Sequence, residues 1–166
     1  SSEIASLEKK IYELAGQEFN INSPQQLGEI LFDKLQLKTK VKKTSGGARS
    51  TAVTELEKKR GEHPIIELIM QYRELQKLKT TYIEPFPTLI DQEDDRLHTT
   101  YNQMGTVTGR LSSQDPNLQN IPIRTPRGQR VRKAFVASEG KQLLSVDYSQ
   151  IELRILAHIT KDPGLT

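Results

Sequence analysis

At 166 residues and a net charge of +3, the chain has room for one domain or two small ones, and its charge permits a nucleic-acid partner without requiring one. The absence of cysteine excludes a disulfide framework, a thiolate metal site and a cysteine nucleophile. Only 34% of residues are hydrophobic, which fits an open shape or a missing partner better than a compact ball, and neither a membrane span nor an apolar signal core is present, so the expectation is a soluble, cytoplasmic protein with no membrane partner.

In chain order, Ile4, Leu7, Ile11 and Leu14 share one face of an opening amphipathic helix that Gly16 ends. Ser23 is placed to cap a second helix, with Pro24 in its first turn, Gln26 completing a capping box, and Leu27, Ile30 and Leu31 turned inward. Lys38 to Arg49 holds Lys38, Lys40, Lys42, Lys43 and Arg49, no acid, and a Ser45-Gly46-Gly47 tip. Such a segment is either a plain surface loop or a place where lysines and backbone amides meet phosphates. Ser50 or Thr51 is expected to cap a short helix closed by Gly61. Pro64 then opens the longest periodic stretch, with Ile65, Leu68, Ile69, Tyr72, Leu75 and Leu78 on one side and Arg73 and Lys77 on another, and Pro85 and Pro87 forbid its continuation. The first and third long helices are expected to pair antiparallel as a stalk. By type alone Arg73, Lys77 and Lys79 are solvating charges.

Thr88 to Ile90 and Leu97 to Tyr101 read as two strands around an acidic turn, Asp91 to Asp95, and His98 as a strand-face residue. Between Gly109 and Lys133 one acid, Asp115, stands against six bases, Arg110, Arg124, Arg127, Arg130, Arg132 and Lys133, a local cationic stretch. Arg127 to Lys133 is expected as a short helix or turn. Phe135-Val136 and Leu143 to Asp147 are then expected to form a hairpin, with Leu143, Ser145 and Asp147 on one face of its second strand. A helix follows, capped by Ser149 and burying Ile151, Ile155, Leu156 and Ile159. Asp147 is thus either an ordinary strand-end acid or a carboxylate presented at the margin of a sheet.

Asp147-Tyr148-Ser149-Gln150-Ile151-Glu152-Leu153-Arg154 resembles motif A of the family A DNA polymerases, the group of bacterial DNA polymerase I. Thr108-Gly109-Arg110-Leu111-Ser112-Ser113 and Asp115 to Pro122 are similar to that family's primer-template segment, in the same order and with its spacing. The weaker likeness elsewhere extends over nearly the whole chain. Met104-Gly105 departs from the small, threonine-rich pattern of the family at that place.

The resemblance implies an α+β fold: a helical thumb over residues 1–84, made of antiparallel long helices with a basic tip, joined over 85–166 to the first portion of an incomplete antiparallel palm sheet. It implies a DNA-directed DNA polymerase using two Mg2+ ions, primer-template DNA and deoxynucleoside triphosphates. Asp147 would be the catalytic metal ligand, the backbone carbonyl of Tyr148 a second ligand, and Gln150, Ile151 and Glu152 would meet the primer end and the incoming nucleotide. Lys42 and Lys43 at a tip that orders on DNA, with Arg73, Lys77, Lys79 and Arg124, would face the DNA backbone. Arg110 would reach the minor groove. Asn117, Gln119 and Asn120 carry neutral amides able to donate to the purine N3 and pyrimidine O2 acceptors that all base pairs share. The Asp91-Gln92-Glu93 triplet would lie in a hairpin turn and is not read as an exonuclease site. A second aspartate and the fingers are expected from a second polypeptide, without which the chain is expected to be inactive, and the assembly is expected at the nucleoid. The other reading is a binding module, a fragment or accessory protein that grips DNA without chemistry.

Overall fold

The computed structural model describes residues 2–37, 47 and 49–165. Helix α1, Ser2–Ala15, buries Leu7, Ile11 and Ala15, while Leu14 lies at the open edge of that stripe. Gly16 ends it at φ +68°, a conformation that costs glycine little, with its N–H on the carbonyl of Tyr12. Ser23 caps α2, Pro24–Gly28, through the N–H of Gln26. The reciprocal half of the box is not made. The N–H of Ser23 is already bonded to Asn20, so the Gln26 side chain accepts the N–H of Asn20 instead, at 2.7 Å. The helix runs on as a wider π-type turn, Glu29–Lys34, closed by the N–H of Leu35 on the carbonyl of Ile30. Leu27, Ile30 and Leu31 are buried as the pattern predicts.

Helix α3, Val53–Glu57, corrects one expectation, since it begins after Ala52 without a side-chain cap. Ser50 Oγ accepts only the N–H of Ala52, and Thr51 is engaged elsewhere. Helix α4, Pro64–Leu78, is capped by His63, whose Nδ1 accepts the N–H of Ile65. Ile65, Ile69, Tyr72 and Leu78 are buried along it, and so is Ile66, which widens the stripe. A π-type turn, Lys79–Ile83, carries the chain to Pro85. Helices α1 and α4 pack directly together, and their apolar faces join Leu27, Leu31 and Leu56 in one core.

The strand expected at Thr88 to Ile90 is a helical turn, α5, Phe86–Leu89. Pro85 and Pro87 suit a first helical turn, where no N–H is required, and Thr88 sends both its N–H and its hydroxyl to the carbonyl of Pro85. Across the acidic turn only a single antiparallel bridge forms, between Ile90 and Leu97. The carboxylates of Asp91 and Asp94 close that turn on the N–H groups of Glu93 and Arg96, and Asp94 also holds His98 at 2.9 Å. The paired strands are β1, Thr100–Asn102, and β2, Ser112–Gln114, antiparallel with Tyr101 opposite Ser113. The fold is therefore helix-rich α+β with a small antiparallel sheet.

Residues 121–166 form a compact unit separate from 1–120. Helix α6, Pro126–Arg132, is capped by Thr125, whose hydroxyl accepts the N–H of Gly128 at 3.1 Å. Gly128 sits so close to Pro122 that a Cβ there would come within 2.8 Å of it. The hairpin expected next is corrected. The turn exists, with Gly140 at φ +70° and the N–H of Lys141 on the carbonyl of Ser138, but its arms do not pair, and Leu143, Leu144, Val146 and Tyr148 are exposed. A strand is held by a neighbouring edge, and none of the described residues offers one to this segment.

Helix α7, Ile151–Thr160, follows Gln150 at φ +52° and has no side-chain cap, so Ser149 does not serve as one. Instead the carbonyl of Ser149 accepts from Arg154 Nε at 2.9 Å. Its expected buried stripe is open: Ile151, Ile155, Leu156 and Ile159 are exposed, and Ala157 alone in this helix is buried. No helix of the described residues is long and apolar enough to cross a membrane.

Candidate nucleic-acid interface

The β1–β2 hairpin positions the first group of candidate residues. Its connection carries Thr106 to Arg110, where the Thr106 hydroxyl donates to the carbonyl of Arg110 at 2.7 Å and Gly109 turns at φ +74°. Gly105 fits against β2, since a Cβ there would fall 2.3 Å from Ser112 Oγ. The unexpected Met104-Gly105 pair is thereby explained on its glycine side. Met104 points into solvent.

After β2 the chain turns through a cis Asp115–Pro116 peptide into a short 3-10 turn, Leu118–Asn120. Asn117, Gln119 and Asn120 are all exposed, but they are not equivalent. Asn117 Oδ1 accepts the N–H of Gln119 at 3.0 Å, so the amide nitrogen of Asn117 faces away from the turn. Gln119 Nε2 donates to the carbonyl of Leu111, so that amide is partly spent inside the loop. The carbonyl of Asn120 accepts the hydroxyl of Tyr82, whose burial raises its pKa. This bond ties the amide turn to the π-type turn that follows α4.

Among the cations of α4, Lys77 is exposed, and Lys79 pairs with Glu84 at 3.4 Å. Arg73 is turned inward. Its guanidinium donates to the carbonyl and hydroxyl of the buried Thr51, and burial lowers its pKa. That commitment was invisible in the residue spacing. Arg49 likewise holds Asp33 at 2.5 Å and lies over the ring of Phe32. Lys42 and Lys43 lie outside the described residues.

The second group belongs to residues 121–165. Arg124 is exposed ahead of α6, whose last turn carries Arg130 and Arg132, the sign that suits a helix C-terminus. Asp147, Tyr148 and Gln150 follow in an exposed, unpaired segment, and Ile151 and Glu152 open α7, with the carboxylate in its first turn. Asp147 and the adjacent carbonyl of Tyr148 are hard oxygen donors of the kind Mg2+ prefers. They are a partial set, and no cluster of three or more metal-binding side chains stands elsewhere among the described residues.

The family model described as DNA polymerase family A matches residues 1–166. A thermostable DNA polymerase I of Thermus filiformis is 58% identical over 163 residues, covering 98% of this chain and 20% of that protein. DNA polymerase I of Deinococcus radiodurans is 54% identical over 160 residues, covering 96% of this chain and 17% of that protein. Among solved structures, the POL domain of Pol1 from M. smegmatis in complex with DNA primer-template and dNTP matches at a TM-score of 0.86 and 40% identity, covering 98% of this chain and 29% of that one. The chain thus spans about a fifth of the length of the curated relatives it matches.

Proposed function

The chain belongs to DNA polymerase family A, and from that premise we propose that it is the primer-template grip and one catalytic corner of a DNA-directed DNA polymerase. The observation that carries this reading is Asp147, an exposed carboxylate just ahead of α7 in a chain matched to the family along its whole length. Residues 1–84 act as the thumb and residues 85–166 as the first portion of the palm. Lys77 and Arg124 meet backbone phosphates by charge, which holds DNA of any sequence. Lys42, Lys43 and Lys79 add to that charge, and Arg110 and the amides of Asn117, Gln119 and Asn120 meet the minor groove. Arg73 serves this surface from behind, by holding Thr51.

Asp147 and the Tyr148 carbonyl would hold Mg2+ together with ligands from the remaining palm. A bound pair of such ions would supply activation of the primer 3′ oxygen and charge stabilisation of the leaving pyrophosphate. Gln150 orients the primer end, and Ile151 and Glu152 lie against the incoming nucleotide. The fingers and the rest of the palm come either from the same polypeptide or from a second one, and they cover the open face of α7.

The test is primer extension by the complete assembly. Asp147→Ala is expected to abolish incorporation and leave primer-template affinity within about threefold, since the residue lends no phosphate contact. Unchanged extension would reduce the chain to a DNA-binding module.

A further inference from the structure

The turn that carries Asn117 is held by a pair of hydroxyls with no assigned role. Ser113, on β2, is 4% exposed, and Thr99 stands just before β1. Their oxygens are 2.6 Å apart. Ser113 Oγ accepts the N–H of Leu118 at 3.0 Å, and Thr99 Oγ1 lies 2.8 Å from the carbonyl of Pro116 and 3.1 Å from that of Gln114. Each hydroxyl has a single proton. The three shortest contacts form one relay: Leu118 N–H to Ser113, Ser113 O–H to Thr99, and Thr99 O–H to the carbonyl of Pro116, with the Gln114 carbonyl at 3.1 Å from Thr99 and the Pro116 carbonyl at 3.3 Å from Ser113 as longer alternatives. Bonds in such a chain polarise and strengthen one another.

The chain of bonds grips the residues on both sides of Asn117 and leaves Asn117 itself in solvent. We propose that Thr99 and Ser113 are positioning residues whose hydroxyl relay fixes the Asn117 amide in the orientation that donates to a minor-groove acceptor of primer-template DNA. This rests on the minor-groove reading of Asn117 above. Neither hydroxyl touches DNA. Without Ser113 Oγ, the N–H of Leu118 loses its partner, the turn can rotate, and the donor of Asn117 no longer points in one direction.

The test uses the 166-residue chain and two primer-templates, one natural and one with 3-deazapurines in place of the purines near the primer end, which removes the N3 acceptor alone. Wild type is expected to bind the natural duplex about fivefold more tightly, the size of one net hydrogen bond. Ser113→Ala and Thr99→Val are expected to bring that ratio close to one, with helical content by circular dichroism unchanged, and Thr99→Ser is expected to keep it. Asn117→Ala separates the two layers of the argument. If Asn117→Ala abolishes the ratio while Ser113→Ala or Thr99→Val, still folded, retains it, the relay is overturned and the minor-groove reading stands. If wild type shows no ratio, or Asn117→Ala keeps it, the minor-groove reading of Asn117 falls and takes the relay with it. Should Ser113→Ala fail to fold, the comparison of Thr99→Val with Thr99→Ser decides.

Discussion

Along α4, Ile65, Ile69 and Tyr72 are buried in one core with the apolar face of α1, whereas along α7 Ile151, Ile155 and Ile159, at closely similar spacing, face solvent. Both helices are amphipathic and both present one apolar stripe. They differ in what lies opposite. The α4 stripe meets Leu7, Ile11, Leu27 and Leu31, all buried with it, while the described residues leave the α7 stripe uncovered. Periodicity states which face of a helix should leave water, and only tertiary contact supplies the surface it meets. The stretch richest in chemical meaning is also the one least supported by its own unit.

The contrast can be broken most severely by truncating one residue from each stripe. Ile69→Ala is expected to cost about 2–5 kcal/mol by urea unfolding, as a fully buried isoleucine should, and Ile155→Ala to stay within about 0.5 kcal/mol. Equal losses would show that α7 is buried in solution after all. Next in size is Arg73→Ala, which strands the carbonyl and hydroxyl of Thr51 and is expected to cost about 1–3 kcal/mol in the same measurement. An unchanged midpoint would deny Arg73 its structural role.

Ser23→Ala should remove about 1 kcal/mol by loss of the α2 cap. The effect on α7, which has no such cap, supplies the control: Ser149→Ala is expected to leave stability unchanged. The smallest effect is one of pH. Burial and the hydrogen bond to Glu8 push the Tyr12 phenol up to about 12 from 10.0. A raised pKa means that the folded state holds its proton longer than the unfolded chain does. Its contribution to stability is complete below pH 10 and is lost as pH rises through about 12. Ultraviolet titration should show a late phenolate component that Tyr12→Phe removes, and a titration identical in the two proteins would contradict this.

Features coded over a few residues were legible before any coordinates. The Ser23-Pro24 cap, the Gly16 stop, the Pro64 start and the inward faces of α1, α2 and α4 all stand as their spacing indicates. Features that depend on a distant partner were not. Arg73 looked like a surface cation because Thr51, its partner, lies 22 residues away. Leu97 to Tyr101 read as a strand paired across the acidic turn, but the strand that forms is Thr100–Asn102, and its mate lies beyond the Thr-Gly-Arg loop. Leu143 to Asp147 had the alternation of a strand and lacked an edge to join.

At the candidate site, the motif residues announced themselves through resemblance, Asp147 and Asn117 among them. The hydroxyls of Thr99 and Ser113 did not, since their pairing exists only once β1 and β2 are in register. The two prolines ahead of Thr88 were the one available sign that the expected strand there would be a helical turn.

On the function proposed above, this chain brings DNA grip and a single metal-binding carboxylate to a catalytic centre whose other parts lie elsewhere. Nucleotide incorporation with Mg2+ on a primer-template, by the 166-residue chain alone and after addition of a polypeptide carrying the fingers and remaining palm, tests it most directly. The expected result is no incorporation alone, incorporation by the mixture, and its loss with Asp147→Ala. Incorporation by the chain alone, or by the mixture regardless of Asp147, would contradict it.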